Sequence, residues 1–211
     1  MLFVLLLVIF AVRATQSQPL SPKYVQFETS SEICRVYLCA PDIVRIFRVP
    51  SNDASVFNDD NENESLIAKK DWEPFEYNVT YEKTKTTIET SQISLIVSNV
   101  SGQITFRDAK TSSILLQETQ TTFLPSSPPS SFSSYYTVEQ SWTSEEEDGF
   151  YGGGQYQNGL LNYKNAPIRM VQFNTEAAVP FFVSMRGRGL SLVGQLRKNG
   201  AETTGRAWVH K

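Results

Sequence analysis

The chain has 211 residues, 40% of them hydrophobic, and a formal net charge of −3 at pH 7. A mildly acidic chain with no basic cluster lacks the positive surface that binds nucleic acid, and it offers no polybasic patch to an anionic membrane. The length suits one all-β domain, because β-sandwiches reach about 200–250 residues as single domains.

The first segment is predicted to be a cleaved secretory signal peptide. Leu2–Val12 is an unbroken apolar run that Arg13 closes. The run is too short for a bilayer-spanning helix, which needs roughly 20 apolar residues. Small residues place the cleavage after Ala14, with Ser17 as a second position, so residues 1–14 are excluded from the fold. A membrane-spanning or buried core segment is the alternative.

Three acceptor triplets for N-glycosylation agree with a secretory route. They begin at Asn63, Asn78 and Asn99. Together with the signal peptide they predict a protein that is secreted or held in the lumen of the secretory pathway, without a membrane anchor.

The two cysteines, Cys34 and Cys39, are predicted to be free thiols. In one continuous strand they lie on opposite faces and about 17 Å apart. A disulfide needs Cα atoms within about 7 Å, so an intramolecular bond requires a turn between them. We therefore expect two free, buried thiols, with an intermolecular disulfide as the alternative.

Short runs of Val, Ile, Thr, Tyr and Phe alternate with turn residues, which is typical of antiparallel all-β domains. Ile33–Leu38 and Asp42–Val49 are the first predicted strands, with Pro41 and Pro50 at the boundaries of the second. Ser51–Glu64 is polar and predicts a solvated loop, because its spacing lacks the ligand periodicity, turn glycine and closing glutamate of a calcium-binding loop.

The clearest sheet signal lies between Thr87 and Leu116. Ile93, Leu95 and Val97 occupy one face of a strand, and the alternation continues on the strands that follow it. Three consecutive strands with short turns predict a meander packed on one face. Residues 124–134 are rich in Ser and Pro and predict a long surface loop, with a linker between two domains as the alternative.

The inventory of catalytic and metal-binding side chains is small. His210 is the only histidine, so a Ser-His-Asp triad or a zinc site lacks its ligands, and no metal or cofactor is expected. Gly152–Gly154 lacks the Lys-Ser/Thr and the helix of a phosphate loop, and predicts close approach of another backbone. The acidic run Glu145–Asp148 predicts a solvated surface.

A polar and aromatic segment follows the glycines. Tyr offers a flat apolar face with a hydroxyl at its rim, while Asn and Gln donate and accept hydrogen bonds, so the mixture suits a carbohydrate surface. Turn formation at Asn158-Gly159 is the alternative explanation. The candidate residues for the rim of a sugar site are Tyr156, Gln157, Asn158, Asn162 and Asn174.

The segment from Tyr151 to Leu190 resembles the end of the N-terminal domain of glycoside hydrolase family 31, the α-glucosidase and α-xylosidase family. In detail it is most similar to the α-xylosidase and transglucosylase branch. Asp42–Ile46, with Arg45, resembles an early strand of the same domain. The motifs are Tyr151-Gly152-Gly153-Gly154-Gln155, Asn158-Gly159-Leu160-Leu161-Asn162, Gln172-x-Asn174-Thr175-Glu176 and Val179-Pro180-Phe181-Phe182-Val183-Ser184.

The resemblance implies an all-β fold, an antiparallel β-sandwich of the galactose-mutarotase-like type, over residues 19–193. In the complete enzymes this sandwich packs against a catalytic (β/α)8 barrel and lends a loop to a site for α-glucosides or α-xylosides. Retaining hydrolysis there uses two barrel aspartates. The expectation is a chain truncated before that barrel, in which no residue is assigned as catalytic.

Two departures from the family pattern stand near the end of the chain. Arg188 occupies a position where the family has an aromatic residue, and residues 194–211 are predicted to be a divergent tail. The leading hypothesis is a secreted, non-catalytic carbohydrate-binding or scaffold domain of a family 31 α-glycosidase. The alternative is a free-standing secreted carbohydrate-binding or interaction module that has lost the barrel.

Overall fold

A computed structural model describes residues 24–52, 72–126, 135–143, 147–168, 170, 174–186, 188–196 and 203–210. Strands, turns and bends make up these ranges, and no helix occurs within them, hence none that could cross a membrane. The predicted signal peptide, the acceptor Asn63 and most of the predicted loop 51–64 lie outside the described residues.

Thirteen strands form two antiparallel sheets. Sheet A contains β1 (Tyr24–Glu28), β2 (Glu32–Ala40), β3 (Ile43–Pro50), β10 (Phe150–Gln155), β11 (Ala177–Ser184), β12 (Gly189–Leu196) and β13 (Thr203–His210). Sheet B contains β4 (Asn78–Tyr81), β5 (Lys85–Glu89), β6 (Ile93–Ser98), β7 (Ile104–Asp108), β8 (Ile114–Ser126) and β9 (Tyr135–Thr143). The strand orders are β1-β2-β3-β13-β12-β11-β10 and β4-β5-β6-β7-β8-β9.

The core lies between the two sheets because alternate residues of both face inward. Val36 and Ile46 of sheet A meet Leu95 and Phe106 of sheet B in one buried cluster. Full burial of such a side chain contributes about 1.5–3 kcal/mol. The alternation of period two that predicted the meander is the alternation that fills this core, and the predicted all-β sandwich is confirmed.

Strands β2 and β3 are buried on both faces. A second apolar cluster, which includes Tyr37, Cys39 and Phe47, covers the face turned away from sheet B. The guanidinium of Arg45 lies over the rings of Tyr37 and Phe47, at 5.2 and 5.9 Å from their centroids. Burial on two faces explains why these strands are nearly continuous apolar runs in the sequence.

Cys34 and Cys39 are both free and buried, as predicted. They lie on one unbroken strand, β2, with Cys34 in the core between the sheets and Cys39 in the second cluster. Burial raises the pKa of the Cys34 thiol to about 12. The protonated thiol is a poor nucleophile.

We expect neither cysteine to react with Ellman's reagent in the folded protein at pH 8. Both should react once urea unfolds the chain, because only the exposed thiolate attacks the disulfide of the reagent. The measurement is the absorbance of the coloured thiolate that the reagent releases, at a fixed reagent concentration, with and without denaturant. Fast reaction of either thiol in the folded protein would contradict the burial of β2 on both faces.

A charged group is buried between the sheets, and we call it the Arg48 cluster: Arg48, Glu32 and Glu118. The Arg48 side chain on β3 donates from Nη1 to Glu32 of β2 and from Nη2 to Glu118 of β8, the latter at 2.6 Å. Nη2 also donates to the carbonyl of Gly102, at 3.0 Å. The cluster therefore joins the two sheets by charge-assisted hydrogen bonds.

The two carboxylates of the Arg48 cluster have unequal surroundings. Glu118 accepts from the backbone N–H of Ile104 at 3.0 Å and from Gln140 Nε2 at 2.9 Å, and also from the hydroxyl of Thr121. Glu32 has one oxygen, Oε2, that is buried without a hydrogen-bond partner in the described part of the chain. Burial raises the pKa of Glu32 to about 7, against the opposing effect of Arg48.

Two stretches that composition assigned to irregular structure contain strand residues. β8 continues through Leu124 to Ser126, because β9 supplies backbone partners for it: Ser126 lies opposite Tyr135. β12 runs through Val193 to Leu196, and β13 pairs with both β12 and β3. Backbone pairing makes strands of these segments although their composition is polar and rich in turn formers.

Candidate functional site

The three consecutive glycines form an irregular edge of sheet A. Gly152 lies opposite Phe182 and Gly154 opposite Ala178, so β11 carries extra residues, including Pro180, between those two pairs. All three glycines have positive φ, at 115°, 77° and 120°. A Cβ on Gly154 would lie 1.9 Å from the carbonyl oxygen of Ala177. The predicted close backbone approach is therefore present, and it occurs within the domain.

We expect Gly154→Ala to destabilise the fold by about 2 kcal/mol or more, because the methyl group meets backbone atoms and the φ is strained for an L residue. Gly159→Ala is the matched control. Gly159 also has positive φ, +71°, but a Cβ there meets nothing within 4 Å. Its cost should be only about 1 kcal/mol. Urea unfolding of both variants measures the difference, and equal costs would contradict the close approach.

The candidate loop, residues 156–168, is held by its own asparagines. Asn162 Oδ1 accepts from the backbone N–H of Phe150 at 3.0 Å and of Lys164 at 2.9 Å. Asn158 Oδ1 accepts from the backbone N–H of Leu160, also at 3.0 Å. The backbone N–H of Tyr163 donates to the carbonyl of Phe150 at 2.8 Å and fixes the loop to β10. Two of the predicted rim residues therefore shape the loop, and the amide nitrogen of Asn158 also donates to the Tyr163 hydroxyl at 3.3 Å.

Tyr156 differs from these asparagines in the surroundings of its polar group. The oxygen is buried without a hydrogen-bond partner among the described residues. Its ring meets that of Tyr163 edge-on, with centroids 6.4 Å apart. Loss of hydration and the nearby Glu176 carboxylate raise the pKa of Tyr156, so the hydroxyl stays a hydrogen-bond donor at neutral pH.

The structure places four of the five predicted rim residues in this one loop: Tyr156, Gln157, Asn158 and Asn162. Gln157 is exposed, as is Asn174 in the turn that precedes β11. Their contact with sugar stays a prediction. No cluster of His, Cys, Asp or Glu that could hold a metal ion occurs in the part of the chain that the structure describes.

An ion pair that the sequence did not predict lies at the start of β10. Asp148 is buried just before β10, and its carboxylate lies 3.9 Å from Arg188 Nη1. Arg188 also donates to the carbonyl of Leu115 on β8 of sheet B. The residue that departs from the family pattern thus connects the start of β10 to the opposite sheet. In the sequence the only sign of this ion pair was the acidic run Glu145–Asp148, whose last member, Asp148, is buried.

Two of the predicted glycosylation acceptors are described. Asn78 is exposed at the start of β4. Asn99 is half-buried, and its amide donates to the carbonyl of Glu82 and accepts from the hydroxyl of Thr86. Glycosylation of either residue stays a prediction.

Two antiparallel sheets with the core between them form a β-sandwich. The sequence model of the glycosyl hydrolase 31 N-terminal galactose mutarotase-like domain matches residues 33–204. The chain belongs to that family. The match extends past Val193, into the segment predicted to be a divergent tail.

Solved structures of xylosidases share the fold. An α-xylosidase from Xanthomonas citri is 24% identical with a TM-score of 0.69, covering 82% of this chain and 18% of its own. An α-xylosidase from a soil metagenome, complexed with xylose, is 18% identical with a TM-score of 0.67, covering 91% and 32%. A xylosidase from Aspergillus niger is 17% identical with a TM-score of 0.59, covering 88% and 28%. The chain spans less than a third of the length of each.

Proposed function

We propose that the chain is the non-catalytic N-terminal sandwich of a secreted family 31 α-glycosidase, where it braces the catalytic barrel and shapes the entrance to a site for α-glucosides or α-xylosides. The observation that carries the proposal is a partly exposed apolar face of β11, next to the polar loop 156–168. Val179, Phe181 and Val183 alternate along this face and are 51%, 38% and 37% exposed. We call them the β11 stripe.

The β11 stripe supports the bracing role. Apolar side chains that alternate on one face of a strand normally pack against another layer, and contiguous exposed ones mark contact surfaces. The loop covers the opposite face, since Ile168 approaches Gly153 and Phe182 there. The exposed part of the stripe is therefore available to a neighbouring domain, and the proposed neighbour is the barrel.

Sequencing of the transcript that encodes the chain tests the bracing role. We expect an open reading frame for a (β/α)8 barrel beyond Lys211. In that longer product Val183→Asp should destabilise the protein strongly, whereas in the 211-residue chain the same change should cost about 1 kcal/mol, the penalty for Asp at a partly exposed strand position. A stop codon at that point would contradict the role and favour a free-standing module.

The loop supports the sugar-contact role through Tyr156, whose hydroxyl keeps its proton and has no described partner. Titration with xylose, followed by NMR, tests it. We expect the amide signals of residues 156–165 to shift, and Tyr156→Phe to weaken binding. Tyr136→Phe removes a hydroxyl from β9 of sheet B, outside the loop, and should leave binding unchanged. Absence of loop shifts would remove sugar contact from the proposal and leave the bracing role.

The non-catalytic role rests on the family's use of barrel residues for chemistry. The purified chain should not hydrolyse a chromogenic α-glucoside or α-xyloside. Turnover that follows the protein through purification would contradict this role.

Secretion rests on the apolar run Leu2–Val12 and on the acceptor triplets. N-terminal sequencing of the product from eukaryotic cells should begin at Thr15, after cleavage at Ala14. Retention inside the cells with Met1 in place would contradict it.

A further inference from the structure

A concave surface lies on sheet B, on the face turned away from the core. One residue from each of four neighbouring strands stands in a row across it: Asn78, Glu89, Ser94 and Arg107. Asn78 lies opposite Glu89, Glu89 opposite Ser94, and Ser94 opposite Arg107. The row faces outward because the adjacent residues of the same strands, such as Ile88 and Leu95, are buried in the core.

The row forms the floor of a cleft of about 470 Å³, which we call the outer-sheet cleft. Neighbouring strands lie about 4.8 Å apart, so Glu89 and Arg107 are separated by one strand that carries only the small Ser94 between them. Long side chains on both sides of a short one leave a notch. A volume of this size falls within the range of about 300–1,000 Å³ that is usual for small-molecule sites.

Two turns border the outer-sheet cleft, and hydrogen bonds fix both of them. In the β7–β8 turn, Asp108 Oδ1 accepts from the N–H groups of Lys110 and Thr111, at 2.8 and 2.9 Å. In the β5–β6 turn, the Thr90 hydroxyl accepts from the N–H of Ile93 at 3.0 Å. The N–H of Ala109 donates to the carbonyl of Gln92 and joins the two turns. The walls are therefore formed before a ligand arrives, which lowers the entropy cost of binding.

The floor offers hydrogen-bonding groups that the protein does not use. The side chains of Asn78, Glu89 and Ser94 have no hydrogen-bond partner among the described residues. Arg107 donates from Nη1 to the carbonyl of Ser112 at 3.3 Å, while its Nε is buried without an acceptor. The guanidinium of Arg107 carries further N–H groups besides that Nε, and these are the donors that it offers to a ligand.

These groups select the chemistry of the ligand. Arg107 needs a hydrogen-bond acceptor and Glu89 needs a donor. The hydroxyl of Ser94 and the amide of Asn78 can pair with either. Glu76, Glu89 and Asp108 outnumber the single cation, which disfavours an anion. No three of the described acidic residues converge as a metal site would require. A neutral ligand with adjacent hydroxyl groups, each both donor and acceptor, meets all of these conditions.

We propose that the outer-sheet cleft is a second carbohydrate-binding site, which holds one pyranose unit between Glu89 and Arg107 over Ser94. The sugar has two sources: a free saccharide, or a glycan attached to Asn78 at the end of the row. The site is separate from the loop 156–168 and does not depend on the barrel.

NMR titration of the unglycosylated chain from bacteria with glucose, xylose and N-acetylglucosamine tests the site. We expect the amide signals of Ser94 and Arg107 to shift, independently of those of residues 156–165, which report on the proposed function. Ser94→Phe fills the notch and should weaken binding about tenfold or more. Ile96→Phe is the matched control, because it places the same side chain on the same face of β6 in the next row.

A second variant and a second preparation complete the test. Glu89→Gln, on an exposed side chain, should weaken binding without affecting folding. In chain secreted from eukaryotic cells, a glycan on Asn78 should already produce the Ser94 and Arg107 shifts, and Asn78→Gln should abolish them. Shifts in neither preparation would overturn the proposal. Shifts with tetralysine but not with sugars would also overturn it, since the carboxylates would then serve a cationic ligand.

Discussion

Replacement of Arg48 by methionine is expected to lower the free energy of unfolding by about 3–5 kcal/mol at pH 8. The change leaves Glu32 and Glu118 buried between the sheets without their counter-charge, and the carbonyl of Gly102 without its donor. The loss of an isolated surface arginine costs far less, because water replaces its partners.

Arg35→Met is the matched control for this prediction. Arg35 lies on β2, donates to Gln26 at 2.9 Å and stacks on Tyr24, but it is more exposed than Arg48. Its replacement should cost about 1 kcal/mol or less. In the triple variant Arg48→Met, Glu32→Gln, Glu118→Gln, much of the lost stability should return, since no unpaired charge remains. Equal costs for Arg48→Met and Arg35→Met in urea unfolding would show that the cluster is solvated.

The second large effect is a dependence of stability on pH that comes from Glu32. Its pKa is about 7 in the folded chain against an ordinary value of 4.5. Between these pH values the folded protein keeps the proton that the unfolded chain has lost. Stability therefore falls as pH rises from about 4.5 to about 7, and the contribution amounts to about 3 kcal/mol when complete. Below pH 4.5 the cost of ionising Glu32 in the folded chain is absent, and above pH 7 this cost is fully present.

Glu32→Gln isolates this contribution from the other carboxylates. The amide does not titrate, so the difference in unfolding free energy between variant and wild type should shift in favour of the variant as pH rises through this window. Glu28→Gln, on an exposed residue of neighbouring β1, serves as control and should track the wild type. Parallel curves for Glu32→Gln and wild type would mean that Glu32 is ionised throughout.

The sequence predicts the strands of this domain better than its charged interior. Ile93, Leu95 and Val97 alternate so regularly that the meander follows directly from the pattern. The same alternation places Arg48 with Val44 and Ile46 on the inner face of β3, and this was the signal for a buried charge. The pattern does not identify the partners of Arg48, because Glu32 and Glu118 come from strands far apart in sequence. The two glutamates come together only through the way the two sheets stack.

In the candidate loop, too, some features are predictable from the sequence and others are not. Its turn residues were predicted from Asn158-Gly159, and Asn158 does cap that turn. The role of Asn162 in holding Phe150 was not predictable, because a side-chain bond to a distant backbone leaves no periodic trace. The buried pair Asp148–Arg188 was hidden for a related reason: an acidic run is normally solvated, and only the fold shows which member is not.

The position of β13 has a consequence for the order in which the chain folds. Synthesis delivers β1–β3 first, and β4–β9 then pair with neighbours as they emerge. β3 must wait for β13, which pairs Gly205 with Arg48 and His210 with Ile43. Until then β3 presents an open row of backbone donors and acceptors, which recruits strands from other chains. Variants that weaken β13 should therefore first reduce the yield of soluble protein during synthesis, before any change is measurable in the protein that has folded.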